Sequence, residues 1–256
     1  MDLTFVTWKW KSPFQDGREF PASAVNVLRA SVAKHYRRPH RFVCVTDDTT
    51  GLDRRVEVFP IPETGLEAVS TPVPPLVRGG KTIHYASCFR RLWMFSREAM
   101  QLGEWVFVLD LDCLVIDRVE PLIDRFPADF VGWLREADGR WRKRPTLAGA
   151  IYKLRTGSHV EVWEDFEPAT SPQEAVAAGY NGSDQAWMSY KLLPTRDRMW
   201  TEADGVAKLN IAGPRKGRDR ILFTVGSEPP WNANRNWVAY HWWRMLHEAR
   251  CGVPHA

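Results

Sequence analysis

The chain has 256 residues, 44% apolar and 26% charged, proportions that suit a globular protein with a substantial core. No apolar run is long enough to span a membrane and nothing at the N-terminus has the form of a signal peptide, so a cytoplasmic location is expected. Cys44, Cys88, Cys113 and Cys251 lack metal-type spacing and read as buried thiols, which excludes a disulfide framework, while the net charge of +4 permits an anionic partner without demanding one.

Taken in order, Leu3-Thr4-Phe5-Val6-Thr7-Trp8 predicts an opening strand, followed by a polar stretch over 9–21. Val25, Leu28, Val32 and His35 then fall on one face at helical spacing, with Ser23 as a candidate cap and Pro39 as the stop. Residues 41–48 predict a second buried strand, ending in the acidic Asp47 and Asp48, and 56–59 a third. Strand–helix–strand order argues for an α/β fold with parallel pairing. The Pro- and Gly-rich stretch 60–80 predicts a long loop. A helix is expected over about 82–102, with Ile83, Ala86, Phe89 and Trp93 on one side. Further on, the pattern predicts a helical turn at 121–125, strands at 129–134 and 147–152, and helices near 158–166 and 184–191. Two late strand-like runs cover 221–225 and 237–241.

The run 105–116 is ten parts apolar, yet it holds Asp110 and Asp112 two positions apart. A buried, unpaired carboxylate is strongly disfavoured or stays protonated. In extended backbone residues i and i+2 point to the same side, so the pair is expected to converge on one divalent cation or one donor-rich site. Mg²⁺ and Mn²⁺ take oxygen ligands, commonly one or two carboxylates plus substrate phosphates. The carboxyl end of a buried strand in an α/β sheet is where such ligands gather. The competing reading is a structural ion pair.

Val106-Phe107-Val108-Leu109-Asp110-Leu111-Asp112, followed by Val115-Ile116, resembles the DxD segment of GT-A-fold glycosyltransferases. The closest group is the retaining one that contains glycogenin and the bacterial lipopolysaccharide galactosyltransferases. Other segments are similar in the same order: Thr4-Phe5-Val6-Thr7 with the helix that follows, the Tyr85–Leu92 text, the strand at 147–157, and Asn181-Gly182-Ser183-Asp184-Gln185. The resemblance implies a GT-A-like α/β fold in a single domain, with a mostly parallel central sheet flanked by helices. It implies a nucleotide-binding half over about 1–117 and an acceptor half over about 118–256. The activity it implies is transfer of a sugar from a nucleotide-sugar, a UDP-sugar, to an acceptor hydroxyl. Asp110 and Asp112 would hold Mn²⁺ or Mg²⁺. Thr7, Trp8, Asp47, Arg91 and Asp110 would contact the donor, and Asp112 and Asp184 would serve the reaction centre. The acceptor stays open between a glycan, a small molecule and a modified DNA base.

One departure stands out. The family closes its site with a segment of the type F-H-G-x-P-K-P-W, whereas this chain places Val225 at the histidine and Pro229 at the lysine. His241 is the substitute third ligand, although a lone His in an aromatic strand is as readily just packed. Arg215, Lys216, Arg218 and Arg220 are candidates to replace the lysine, or form a solvated turn. Arg91 reads as a phosphate contact or an ion pair, and Asp184 as a site residue or a helix cap with Ser183 as its rival. The run Arg140-Trp141-Arg142-Lys143-Arg144 reads as a grip on an anionic acceptor, nucleic acid included, or as a solvated loop. Thirteen Trp residues suit ring platforms for sugars. A catalytically weakened binding protein of the same fold is the alternative to an enzyme, because the usual His and Lys are replaced. Other classes fall away. Gly80-Lys81-Thr82 lacks the first glycine of a phosphate loop, since that position is Pro75. The absence of glycine over 3–11 argues against a pyrophosphorylase, and no G-x-S-x-G elbow occurs.

Overall fold

The computed structural model describes residues 2–10, 20–69, 76–78, 81–83, 88–137, 144–193, 199–209, 213–224, 230–232 and 236–251. The chain opens with β1 (Leu3–Lys9), α1 (Ala22–His35), β2 (His40–Thr46) and β3 (Glu57–Phe59). A small antiparallel pair, β4 (Leu76–Arg78) and β5 (Lys81–Ile83), precedes two successive 3-10 helices, Phe89–Phe95 and Arg97–Leu102. Next come β6 (Trp105–Leu109), β7 (Cys113–Val115), α2 (Glu120–Asp124), β8 (Phe130–Arg135) and β9 (Thr146–Arg155). The remainder is α3 (Glu161–Glu164), α4 (Ser171–Ala177), α5 (Asp184–Leu192), β10 (Val206–Lys208), β11 (Ile221–Phe223) and α6 (Asn236–Cys251).

The central sheet has the order β3-β2-β1-β6-β9-β8. β3, β2, β1 and β6 are mutually parallel, and β9 runs antiparallel to both β6 and β8. Every residue of β1 is buried, as a strand covered on both faces requires. Its alternation sorts side chains into two cores. Leu3 and Phe5, with Phe107 and Leu109 of β6, pack toward α1 and the Trp242–Met245 part of α6. Val6 and Trp8, with Val106 and Val108, pack toward the 3-10 helices, α4 and α5. The β2–β3 side grows from one edge of β1 and β6 lies on the other, so the order reverses between β1 and β6. At such a switch point the carboxyl ends of the strands leave a crevice. The first residue past β6 is Asp110.

Three sequence expectations need correction. The helix over 82–102 is not one helix: its first residues lie in β5, and Phe89–Phe95 and Arg97–Leu102 are 3-10 turns. All seven residues of the first turn are buried, so packing from every side, and not one amphipathic face, holds it. The strand at 237–241 is the start of α6. A short aromatic run is ambiguous between strand and helix. The longer segment decides it, since Val238, Trp242, Met245 and Ala249 recur at helical spacing on the buried side while Tyr240 and Trp243 face outward. In the predicted 158–166 helix only Glu161–Glu164 is α-helical, and α4 and β10 had no sequence counterpart. Among the described residues no helix is long and apolar enough to cross a membrane.

Candidate active site

The two aspartates do not sit in extended strand, which corrects the same-side argument. β6 ends at Leu109, and the Asp110 amide donates to the Ala150 carbonyl of β9 at 2.9 Å. The Cys113 amide then donates to the Asp110 carbonyl at 3.0 Å, closing a four-residue turn over 110–113. A tight turn, not strand pleating, therefore brings the carboxylates together. The turn is pinned from the end of β11, which pairs with β10 and β7 in a separate three-stranded sheet: the Thr224 amide and hydroxyl both donate to the Asp112 carbonyl, at 3.1 and 2.9 Å.

Arg91, from the first 3-10 helix, reaches across this turn. Its Nη1 donates to Asp110 Oδ1. Its Nε and Nη2 bind Asp184 Oδ2 at 2.8 and 2.7 Å. Asp184 begins α5, is 2% exposed, and also accepts from the Ser183 hydroxyl at 3.1 Å. Ser183 is the N-cap residue but makes no side-chain cap bond, so Asp184 acts as partner to Arg91 and not as a cap. Gly149 of β9 makes room for this pair. A Cβ there would stand 3.0 Å from Asp184 Oδ2 and 3.1 Å from Arg91 Nη2. Sequence reasoning missed Gly149, although an isolated glycine in a strand pattern is a sign of close approach.

Burial raises the Asp112 carboxyl well above its ordinary range, and neighbouring Asp110 adds to the shift. Asp110 is also raised by burial, with Arg91 pulling the other way. Burial by itself lowers the Arg91 pKa, but Asp110 and Asp184 outweigh it and hold the guanidinium charged. Asp112 Oδ1 is buried without a hydrogen-bond partner. Three carboxylates against one guanidinium leave two negative charges in excess when all are ionised. An all-oxygen donor set with an orphaned oxygen and that excess fits a hard divalent cation. Among the described residues no group of three or more His, Cys, Asp or Glu is arranged to hold a metal. Among the described residues, Asp110 and Asp112 are the carboxylates such a cation would meet, and two carboxylates completed by substrate oxygens or water is a common way to hold Mg²⁺.

His241 is not brought into that group. It lies on α6, where His35, Lys34, Arg244 and Glu248 surround it. Burial, then His35 and Lys34, pushes its pKa down to about 4. Its Nε2 is buried and unpartnered. Thr7 is fully buried at the end of β1 with its hydroxyl unpartnered. The Trp8 indole is in the core, edge-on to Trp10 and Trp93. Asp47 is exposed just after β2, while neighbouring Asp48 binds Lys9 at 2.6 Å. In the 215–220 cluster, Arg215 pairs with buried Asp219 at 2.6 Å and Arg220 donates to the Arg118 carbonyl at 2.6 Å. Lys216 and Arg218 are exposed. Val225, Pro229, Tyr85 and the run 140–143 lie outside the described residues. Arg144 donates to the Ala178 carbonyl at 2.7 Å and lies over the Tyr180 ring.

The mixed sheet with its switch point matches the GT-A fold of solved glycosyltransferases. Over 99% of its length the chain is similar in structure to the galactosyltransferase LgtC in complex with donor and acceptor sugar analogs, with a TM-score of 0.60, 14% identity and 98% of that chain covered. It is similar to an active-site mutant of LgtC, at TM-score 0.58 and 14% identity over 99% of this chain and 98% of that one. It is also similar to the apo bifunctional glycosyltransferase WbbM, at TM-score 0.59 and 11% identity, covering 99% of this chain and 50% of WbbM. No family model matches the sequence, and no curated protein does. At these identities the likeness is one of fold.

Proposed function

We propose that the protein is a divalent-metal-dependent glycosyltransferase that moves a sugar from a nucleotide-sugar, a UDP-sugar, to an acceptor hydroxyl. The observation that carries this reading is the desolvated Asp110–Asp112 turn at the switch point, with its orphaned carboxylate oxygen. Asp110 and Asp112 would hold Mn²⁺ or Mg²⁺, which when bound neutralises charge developing on a diphosphate leaving group. Arg91 is a positioning residue in this scheme, since its guanidinium is committed to Asp110 and Asp184. It sets the distance between the carboxylate that would hold the cation and the one at the head of α5. Asp184 takes bonds on both oxygens. A carboxylate so restrained suits orienting a sugar or acceptor hydroxyl better than free nucleophilic attack. The transfer would proceed with retention at the anomeric carbon, as in the group the sequence resembles. Exposed Trp and Tyr side chains would supply acceptor platforms.

The test is a panel of nucleotide-sugars with and without Mn²⁺, read by thermal shift and by sugar release. Stabilisation and release should require both a UDP-sugar and Mn²⁺, and both should disappear in Asp110→Asn/Asp112→Asn. Equal stabilisation of that variant would remove the metal assignment. A nucleotide-sugar-binding protein without turnover is the second reading, favoured by Val225 and Pro229 standing where the family the sequence resembles carries His and Lys. Metal-dependent stabilisation without release from any donor would select it.

A further inference from the structure

A cavity of about 740 Å³ lies between the N-terminal half of α1, the segment after β2 and the end of α6, a volume typical of small-molecule sites. Ser23, Asn26, Asp53, Arg54, Arg55 and Arg250 are in its wall, and none of Arg91, Asp110, Asp112 or Asp184 is. The wall is built, not incidental. The Asn26 side chain donates to the Gly51 carbonyl at 2.9 Å and accepts from the Asp53 amide at 2.8 Å. Asp53, the one acid in the wall, accepts from Arg55 Nε and Nη2 at 2.8 and 2.6 Å. The same Nη2 donates to the Ala249 carbonyl at 2.7 Å, tying the loop to the end of α6. Asp53 is therefore neutralised by Arg55 and does not oppose an incoming anion. Arg54 and Arg250 are exposed and have no carboxylate partner among the described residues.

Two further features carry positive charge without an acceptor. Arg29, one turn along α1 from Asn26, is 8% exposed, and its Nε and Nη2 are buried with no hydrogen-bond partner. It sits within electrostatic reach of Arg55, which repels it, and of Asp53, which Arg55 already binds. Buried guanidinium donors are ordinarily satisfied, and Arg29, although not among the described residues of the wall, adds unpaired positive charge beside it. The 14-residue α1 also begins here with no acidic residue in its first turn and no side-chain bond at its N-cap, Pro21. Its positive end therefore has no compensating acid within its own first turn.

We propose that this cavity binds a phosphate-bearing small molecule, with Arg54 and Arg250 on the phosphate oxygens and the Asn26–Asp53–Arg55 framework shaping the wall. This assignment stands apart from the glycosyltransferase reading. The test is isothermal titration calorimetry of the full chain with inorganic pyrophosphate, in EDTA and low salt. It is run on the wild type, on Arg54→Ala/Arg250→Ala and on Asp110→Asn/Asp112→Asn. Both arginines are exposed, so the arginine variant should melt as the wild type does. Binding should weaken at least tenfold in the arginine variant, persist in the aspartate variant, and fall as NaCl is added. Absence of heat with the wild type overturns the proposal. So does equal binding by the arginine variant, which would place pyrophosphate elsewhere.

Discussion

Replacing Arg91 by Met removes the guanidinium that bridges Asp110 and Asp184. The Asp184 side chain is 2% exposed and that of Asp110 26%, so one orphaned carboxylate stays buried while the other relaxes toward solvent. Breaking a buried pair from one side costs about 3–5 kcal/mol, and the exposure of Asp110 places this case near the lower end, about 3 kcal/mol at neutral pH. With a urea slope of about 2 kcal/mol/M, the unfolding midpoint should drop by roughly 1.5 M, read by Trp fluorescence. The loss should depend on pH with a definite sign. Without Arg91 the Asp110 and Asp112 carboxyls, both already raised by burial, lose the positive charge that opposes the rise and stand further above the unfolded value of about 3.9. Their contribution is then fully present below that value and is lost as pH rises through the folded pKa. The variant should therefore be closer to wild type at about pH 5 than at about pH 7. A loss below about 1 kcal/mol, as at an exposed ion pair, or a loss independent of pH, would refute the bridging role. Arg91→Lys keeps the charge but not the fork that reaches two carboxylates, and should fall between.

Asp112→Asn should raise the stability of the metal-free protein at neutral pH by about 1 kcal/mol, because it replaces a desolvated charge with a neutral amide. It should also abolish the Mn²⁺-dependent rise in Tm. Gly149→Ala puts a methyl group 3.0 Å from Asp184 Oδ2, and should destabilise by roughly 1–3 kcal/mol in urea unfolding while lowering sugar release further than the stability loss alone predicts. His241 has its pKa lowered from 6.5 to about 4. At about 1.4 kcal/mol per unit this supplies roughly 3 kcal/mol of stability, present above pH 6.5 and lost as pH falls through about 4. His241→Phe should flatten the wild-type decline over that window, and an unchanged acid profile would show that His241 is not the titrating group.

The near-continuous apolar runs of β1, β2 and β6, with a helix between the first two, were enough to indicate the α/β class, because a parallel strand buried on both faces is a local feature of composition. The switch from those strands to acidic residues at 47–48 and at 110 and 112 also marked, from sequence alone, the sheet edge proposed to meet the donor. The same local logic failed where length or burial decided the outcome. Residues 237–241 look like a strand until the period of the next ten residues is included, and 89–95 are held by burial on all sides.

By itself, then, the sequence determined where buried charge must be explained: two carboxylates inside an apolar run, with Asp184 and Arg91 as candidates to join them. Only the tertiary structure decided how. Arg91 and Asp184 are 93 residues apart, and their meeting depends on the antiparallel register of β6 and β9, which sets Leu109 opposite Ile151 and carries Gly149 to the turn. It also decided that the aspartates converge through a turn and that His241 faces α1 instead. Period-2 and period-3.6 patterns specify which side of an element is buried. Which distant charges that burial forces into contact is set by strand register and packing, which no local pattern encodes.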